Sequence, residues 1–201
     1  MALNFANNNS LSAITSLPAS ISGGAMTLIS EQTASSSATI SFTSGIDSTY
    51  EKYVFKFYDI HAGTDAINFT FQADTGTNTS YNQTITSTIF QAYHNEAGGS
   101  TGLDYLASHD QAQGTAFQNL TVNTGNGNDE SVSGYLEIYN PSSSVFVKHF
   151  MARINSYNAN DFSSDYYTAG YFNLTTALTR FRFKMSSGNI DSGVIKLYGI
   201  S

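Results

Sequence analysis

The sequence predicts an all-β protein, folded as an antiparallel β-sandwich of the jelly-roll type with an extended N-terminal arm. Three observations lead to this prediction. Ten short segments of the 201-residue chain show the two-residue alternation, or the β-branched and aromatic content, that is typical of strands. Clusters of Gly, Asn, Ser and Pro, such as residues 74–78 and 186–189, separate most of these segments. No segment has the apolar period of an amphipathic helix of useful length.

Residues 1–24 are predicted to form the extended arm. Polar runs at 7–10 and 20–24 surround single apolar residues, and Pro18 together with the glycines breaks any helix. Two alternatives stay open at this point, a frayed terminus or an arm that becomes ordered on a neighbouring subunit. The spaced apolar side chains that could anchor such an arm are Leu11, Ile14 and Leu17.

Residues 25–201 are predicted to form the sandwich domain. Its clearest strand is 67–72, where Ile67, Phe69 and Phe71 point inward and the three polar residues between them point outward. In segment 179–185, two phenylalanines alternate with Arg180, Arg182 and Lys184, which predicts a basic stripe on one exposed face and also suits an edge strand protected against unwanted pairing. The ten predicted strands are 26–30, 38–42, 52–60, 67–72, 84–93, 131–139, 145–154, 166–174, 179–185 and 193–200.

The connection 95–128 interrupts the even spacing of the strands. It is long and rich in Gly, Asn and Gln, with a few apolar residues that could anchor it. So long a connection in a compact domain is usually functional or forms a lid packed on the domain. The 13 tyrosines of the chain add to this interest, because Tyr on exposed loops suits stacking against sugars or docking onto a protein, although many will be core residues.

Composition and charge exclude several classes of function. The absence of cysteine excludes disulfides, Cys-ligated zinc and thiol catalysis. A net charge of −7 and an isoelectric point near 4.8 argue against general nucleic-acid binding. No apolar run reaches the ~18 residues of a membrane span, and the N-terminus does not predict a secretory signal.

The charges are unevenly distributed along the chain. Residues 57–147 contain nine acidic residues and no Lys or Arg, whereas residues 148–201 contain six basic and three acidic residues. The simpler interpretation is that solvated strand faces differ in sign. The alternative is that copies of the protein, or the protein and a larger body, meet with complementary potentials.

One segment matches a nucleophile motif. Residues 98–102, Gly-Gly-Ser-Thr-Gly, fit the G-x-S-x-G pattern, in which the serine must lie on a strained turn between a strand and a helix. Here the segment that follows is predicted to be a loop, and a chain with 16 glycines is expected to match by chance. Ser100 is therefore not predicted to be catalytic.

Two segments carry potential metal ligands. His61 lies between Asp59 and Asp65, and the three could form a carboxylate–imidazole cluster that binds a metal ion. The simpler interpretation is that these side chains form ordinary hydrogen bonds at the surface. Residues 123–130 offer oxygen ligands and glycines but lack the spacing of an EF-hand, so an acidic turn is favoured and calcium binding stays open. His149 is expected to contact a cross-strand neighbour. The sequence thus predicts no catalytic, cofactor-binding or metal-binding residue, and no cofactor.

Three segments of the chain are distinctive when taken together: 33–50 (TASSSATISFTSGIDSTY), 139–150 (YNPSSSVFVKHF) and 183–200 (FKMSSGNIDSGVIKLYGI). They resemble structural proteins found in the virions of tailed phages that infect marine bacteria. The resemblance covers residues 26–201, and its C-terminal part is the most specific. It implies a virion component without enzymatic activity, and it brings no functional residues to transfer.

The resemblance and the organisation of the chain together predict a capsid decoration, knob or head-fibre subunit. We expect a homo-oligomer, with a trimer favoured, that is assembled in the host cytoplasm and held in the virion. Residues 1–24 would attach it to the major capsid protein or another virion protein. The alternative is a receptor-binding module of a tail or fibre that binds host surface glycans. A hydrolase that uses Ser100 is the weakest hypothesis.

Overall fold

The structure, a computed structural model, describes residues 26–201 and confirms the predicted all-β antiparallel sandwich. The predicted arm, residues 1–24, lies outside the described residues, and the jelly-roll topology stays a prediction. Residues 26–201 contain no helix, and therefore none that could cross a bilayer. The strands are β1 (Thr27–Ser37), β2 (Ile40–Phe42), β3 (Lys52–Ala62), β4 (Phe69–Thr75), β5 (Ile85–Asn95), β6 (Thr101–Tyr105), β7 (Ala112–Gly114), β8 (Gln118–Asn119), β9 (Val132–Tyr139), β10 (Lys148–Tyr157), β11 (Phe162–Phe172), β12 (Leu178–Met185) and β13 (Ile190–Ile200).

The strands form a large sheet and a small sheet. The large sheet has the order β1-β13-β3-β9-β10-β11-β5-β6, and β7 pairs with the same edge of β5 as β6 does. The small sheet has the order β2-β12-β4-β8. All pairs are antiparallel. Because the large sheet is twice as wide, the small sheet covers only part of its inner face.

The core lies between the two sheets and is dominated by phenylalanine. On β3, Tyr53, Phe55 and Phe57 are buried at alternate positions, as the sequence predicts. On β4, Phe69 and Phe71 face them and are fully buried, which confirms the predicted alternation. These rings pack edge to face or stacked with centroids about 5–6 Å apart, a geometry that favours aromatic pairs.

The prediction that 179–185 forms an edge strand is wrong. The segment is β12, which lies between β2 and β4 in the small sheet. Two of its three basic side chains pack on rings instead of protecting an edge. The Arg182 guanidinium lies 3.8 Å from the ring centroid of Tyr81, and the Lys184 ammonium lies 4.7 Å from that of Phe117. Such cation–π contacts keep charge on the outside of a central strand.

The connection 95–128 is not one loop, because it contains β6, β7 and β8. It joins the two sheets, since β6 and β7 pair with β5 and β8 pairs with β4. Two buried glutamines hold it in place. The Gln118 Oε1 accepts a hydrogen bond from Ser87 Oγ at 2.6 Å, and the Gln72 Nε2 donates to the carbonyls of Gln83 and Ala116. The connection therefore buries the outward face of β4, which the alternation predicted to be solvated.

The strand β10 begins three residues later than predicted. Val145 and Phe146 are exposed in the preceding turn, and the first strand residue, Lys148, is buried. The Lys148 Nζ donates hydrogen bonds to the carbonyls of Phe146 (3.0 Å) and Leu174 (3.2 Å). Burial lowers the pKa of this lysine, because desolvation disfavours its charged form.

Candidate functional site

The outer face of the large sheet carries most of the exposed apolar side chains. Within residues 26–201, ten large apolar side chains are exposed, and seven of them project from this face. Met151 and Tyr105 are 53% and 57% exposed, although both belong to regular strands. A solvated sheet face normally carries polar residues, so this arrangement requires an explanation. The seven are Leu28, Tyr58, Phe90, Leu103, Tyr105, Tyr135 and Met151.

Strand register aligns eight of the outward side chains into one row, which we name the aromatic row. Residues directly opposite each other in antiparallel strands project from the same face. The pairings connect one residue from each of the eight strands, from one edge of the sheet to the other. In sheet order they are Glu31, Lys196, Lys56, Tyr135, Arg153, Tyr167, Phe90 and Tyr105.

Two rings of the aromatic row, those of Phe90 and Tyr167, have faces covered by neighbouring side chains. Phe90 and Tyr167 stack face to face, with centroids 4.9 Å apart and planes within 4° of each other. The Arg153 guanidinium lies 5.2 Å from the Tyr167 centroid and pairs with both carboxylate oxygens of Asp165. Rings whose faces are occupied by neighbours cannot offer those faces to a sugar. Their edges and the flanking charges suit packing against another protein.

The charged groups of the outer face, both in the aromatic row and beside it, are mostly paired. The Lys52 Nζ lies 3.1 Å from Glu137 Oε1, and the Lys196 Nζ lies 2.9 Å from Glu31 Oε2. The Tyr139 hydroxyl donates to the Glu137 carboxylate. Burial, together with this carboxylate, raises the pKa of Tyr139 to about 12, because both disfavour the phenolate. The charged groups are thus held in fixed positions across the face.

A shallow trough interrupts the outer face where side chains are small. Ala169 and the backbone of Gly170 form its floor, and Met151 and Tyr171 flank it, giving a mainly apolar hollow of about 280 Å³. His149 also lines the trough, with its ring 6.0 Å from that of its cross-strand partner Tyr171. The expected cross-strand contact of His149 is therefore present, and the trough offers a place for an apolar side chain of a partner.

The net charge of the outer face differs from that of the rest of the chain. Four cations and three anions project from its strands, so it carries +1, whereas the remaining four cations and twelve anions give −8. The two values sum to the formal charge of −7. The outer face therefore carries none of the net negative charge of the chain, which lies on the other surfaces. The charged groups of the face are Lys52, Lys56, Arg153, Lys196, Glu31, Glu137 and Asp165.

A second candidate site is a cleft on the inner face of the large sheet, at the end that the small sheet does not cover. Its floor comes from β6, β5 and β11, whose register aligns Asp104, Gln91 and Tyr166 in one row. The next row contains Gly102, Tyr93 and Ser164. The cleft has a volume of about 300 Å³. We refer to it as the polar cleft, because amide, hydroxyl and carboxylate groups line most of it.

Buried hydrogen bonds fix the walls of the polar cleft. The Tyr166 hydroxyl donates to the Val122 carbonyl at 2.6 Å, which ties the segment 122–124 to β11. The buried Asn158 donates to Ser164 Oγ at 3.2 Å and accepts from the backbone N–H groups of Asn160 and Phe162. Both segments that border the cleft are therefore held in place without any ligand.

Ser100 lies at the rim of the polar cleft. It belongs to the turn between β5 and β6, so no strand-to-helix turn surrounds it, and its backbone N–H donates to Asn95 Oδ1 at 2.8 Å. All four histidines belong to residues 26–201, and none of them lines the cleft. The geometry that the nucleophile motif requires does not occur around this serine.

The structure rearranges the predicted cluster at His61. The His61 Nδ1 lies 3.6 Å from the carboxylate of Asp191, and its Nε2 lies 3.0 Å from the Gly127 carbonyl, whereas Asp65 is exposed and has no part in the cluster. In the loop 123–130, Glu130 accepts a hydrogen bond from the Gly127 N–H and so points back onto its own loop. Within residues 26–201, no three His, Asp or Glu side chains come together in a geometry that could hold a metal ion.

Apart from Ser100 and His149, sequence reasoning did not identify the individual residues of the two candidate sites. It singled out the tyrosines and the connection 95–128 as groups, but the individual members depend on strand register and on which part of the sheet stays uncovered. No local motif marks Gln91, Asp104 or Asn160. Comparison with known proteins finds no matching family model, no matching curated protein and no matching solved structure.

Proposed function

We propose that this protein is a non-enzymatic structural component of a phage virion, a capsid decoration, knob or head-fibre subunit that assembles with copies of itself. The outer face of the large sheet is the observation that carries the proposal. It combines seven exposed apolar side chains with a near-neutral charge on an otherwise acidic chain. The resemblance of segments 33–50, 139–150 and 183–200 to virion proteins supports the same function.

The dimensions of the outer face suit a stable interface. Eight strands at roughly 4.8 Å spacing give a width of about 34 Å, and the eight residues of β9 give a length of about 26 Å. The resulting area of about 900 Å² matches the roughly 800 Å² that each partner buries in a standard protein complex. A second copy is the partner that we propose, because two such faces carry little net charge and can pair their aromatic rows; this pairing is two-fold and gives a dimer, whereas the trimer favoured from the sequence would need a different contact.

Substitution of the outer face is expected to disrupt self-association. The double variant Tyr135→Glu/Met151→Glu places two charges at its centre, and we expect the dissociation constant to rise by at least about thirtyfold, as for loss of one interface hot spot. Sedimentation equilibrium measures this change. The matched control is Phe146→Glu, which adds a charge at an exposed position outside the face. A monomeric unmodified protein, or an equal effect of the control, would contradict the assembly surface.

Attachment through the N-terminal segment gives a separate test of the virion function. We expect a variant that lacks residues 1–24 to unfold with unchanged cooperativity but to be absent from particles, because the sandwich core lies within residues 26–201. Mass spectrometry of purified virions, with the full-length protein as the control, measures incorporation. Virions that lack the full-length protein would refute the proposed function, and normal incorporation of the shortened chain would refute attachment through the arm.

The second candidate function is a receptor-binding module that recognises host surface glycans, at a tail tip or fibre. The polar cleft favours it, because the cleft combines aromatic rings with amide and hydroxyl groups on the connection 95–128 and its neighbours. A glycan array tests this function directly. Binding to surface glycans supports it, and the absence of signal together with normal host adsorption of particles that lack the protein refutes it.

A further inference from the structure

We propose that the polar cleft binds a single neutral pyranose ring, the terminal sugar of a glycan. This inference rests on the second candidate function and assigns it a site and a ligand class. The cleft lies on the inner side of the large sheet, opposite to the outer face, so a sugar and a second copy of the protein could be bound together. Its volume of about 300 Å³ is at the small end of the range of ligand sites, roughly 300–1,000 Å³.

Aromatic groups supply the apolar contact that a sugar requires. Tyr93 and Phe162 both line the cleft, with ring centroids 5.6 Å apart and planes inclined at 68°. The Tyr93 ring lies across Gly102, where an added Cβ would be 2.5 Å from the tyrosine hydroxyl oxygen. A glycine at this point of β6 therefore leaves room for the ring. In an edge-to-face pair, one ring turns only its edge to its neighbour, so its faces stay clear of that neighbour and can contact the C–H groups of a pyranose.

Polar groups with no partner surround these rings. The side chains of Gln91, Ser100, Asp104, Asn123 and Asn160 line the cleft, and none of them has a hydrogen-bond partner within the described part of the chain. Amides both donate and accept, the serine hydroxyl does the same, and the carboxylate accepts. Sugar hydroxyls also donate and accept, so this set can satisfy them in more than one orientation.

The charge of the cleft selects a neutral sugar. Among residues 26–201, Asp104 is the only charged residue that lines the cleft, and no Lys or Arg of this range does so. A sialylated, sulfated or phosphorylated sugar would bring a negative charge toward this carboxylate without a cation to offset it. A nucleotide is disfavoured for the same reason. The ligand class that remains is a neutral hexose or N-acetylhexosamine.

The test uses the ¹⁵N-labelled full-length protein, titrated with glucose, galactose, mannose, N-acetylglucosamine and N-acetylgalactosamine, and with adenosine and uridine for comparison. We expect at least one sugar to shift the amide resonances of residues 91–104 and 158–166 with a millimolar dissociation constant. Tyr93→Ala is expected to weaken this binding by about tenfold, the equivalent of 1.4 kcal/mol. Asn160→Ala, a loop substitution with little risk to folding, is expected to weaken it severalfold.

His94→Ala is the matched control, because it changes the next residue of β5, whose side chain projects from the opposite face. It should leave the affinity for the sugar within a factor of about two.

Two results would overturn the assignment of the sugar to this cleft. One is sugar binding that persists in both Tyr93→Ala and Asn160→Ala, and the other is a set of resonance shifts caused only by the nucleosides. Either result would leave open a glycan-binding function elsewhere on the protein. No shift with any sugar at tens of millimolar, together with a blank glycan array, would overturn both. Neither result bears on self-association, which sedimentation measures.

Discussion

Phe183→Ala should be the most damaging single truncation in the sandwich, lowering the free energy of unfolding by about 3–5 kcal/mol. Phe183 is fully buried on an inner strand of the small sheet and contacts rings of both sheets. Removal of its ring leaves a cavity that the surrounding rings cannot fill without leaving their rotamers. Its ring lies 5.0–6.4 Å, centroid to centroid, from those of Phe42, Phe55, Phe57, Phe69 and Phe71.

Chemical denaturation and thermal unfolding both measure this loss, and the thermal midpoint should fall by roughly 6–20 °C for a domain of this size. The matched control is Phe146→Ala, which removes the same side chain where it is 70% exposed and should change stability by less than about 0.5 kcal/mol. Phe183→Leu should lower the free energy of unfolding by less than half as much as Phe183→Ala does. A loss below about 1 kcal/mol for Phe183→Ala would contradict the packing of the two sheets at this position.

Asp74→Ala should lower the free energy of unfolding by about 2–4 kcal/mol, because it leaves buried donors unpaired. Asp74 is buried at the end of β4 and its carboxylate accepts three hydrogen bonds. They come from the backbone N–H groups of Thr75 (2.9 Å) and Tyr81 (2.8 Å) and from the Gln83 Nε2 (2.9 Å). These bonds form the turn after β4 and position the Tyr81 ring on which Arg182 packs.

Asp65→Ala is the control for charge, since it removes an exposed carboxylate and should leave stability within about 0.5 kcal/mol. Asp74→Asn keeps one acceptor oxygen and should cost about 1–2 kcal/mol. Urea denaturation separates these variants, and limited proteolysis of residues 76–83 reports on the turn itself. If Asp74→Ala proved as stable as Asp65→Ala, the three hydrogen bonds would not hold the turn.

The sequence predicted the positions of strands correctly where large apolar residues alternate. The segments that became β3, β4 and β12 were predicted within a few residues, because their buried phenylalanines recur at every second position whatever lies next to them. The short strands β6, β7 and β8 were missed. Two to five residues carry too little pattern, and these strands exist because distant strands pair with them. The wrong assignment of β12 to an edge has the same cause, since its neighbours are set by the whole fold.

The candidate sites were less predictable than the fold. The chain showed many tyrosines but gave no indication of which would share a face, because the aromatic row takes one residue from each of eight strands. The polar cleft exists because β6 pairs with β5 and because the large sheet is wider than the small one, and no local segment of the sequence indicates either feature. Even the carboxylate paired with His61 differs from the prediction, which named Asp59 and Asp65, because the structure places Asp191 there, 130 residues away along the chain.

By itself, the amino-acid sequence determined the class of this protein: an acidic, cysteine-free chain whose alternating phenylalanines must form sheets with one buried face. Only the tertiary structure decided what the other faces carry. Register in antiparallel pairs is set by long-range packing, and it brought Tyr135, Arg153, Tyr167 and Phe90 side by side while leaving Tyr93 in an uncovered cleft. A period of two residues fixes which side of a strand a residue occupies, but not which residue lies opposite it.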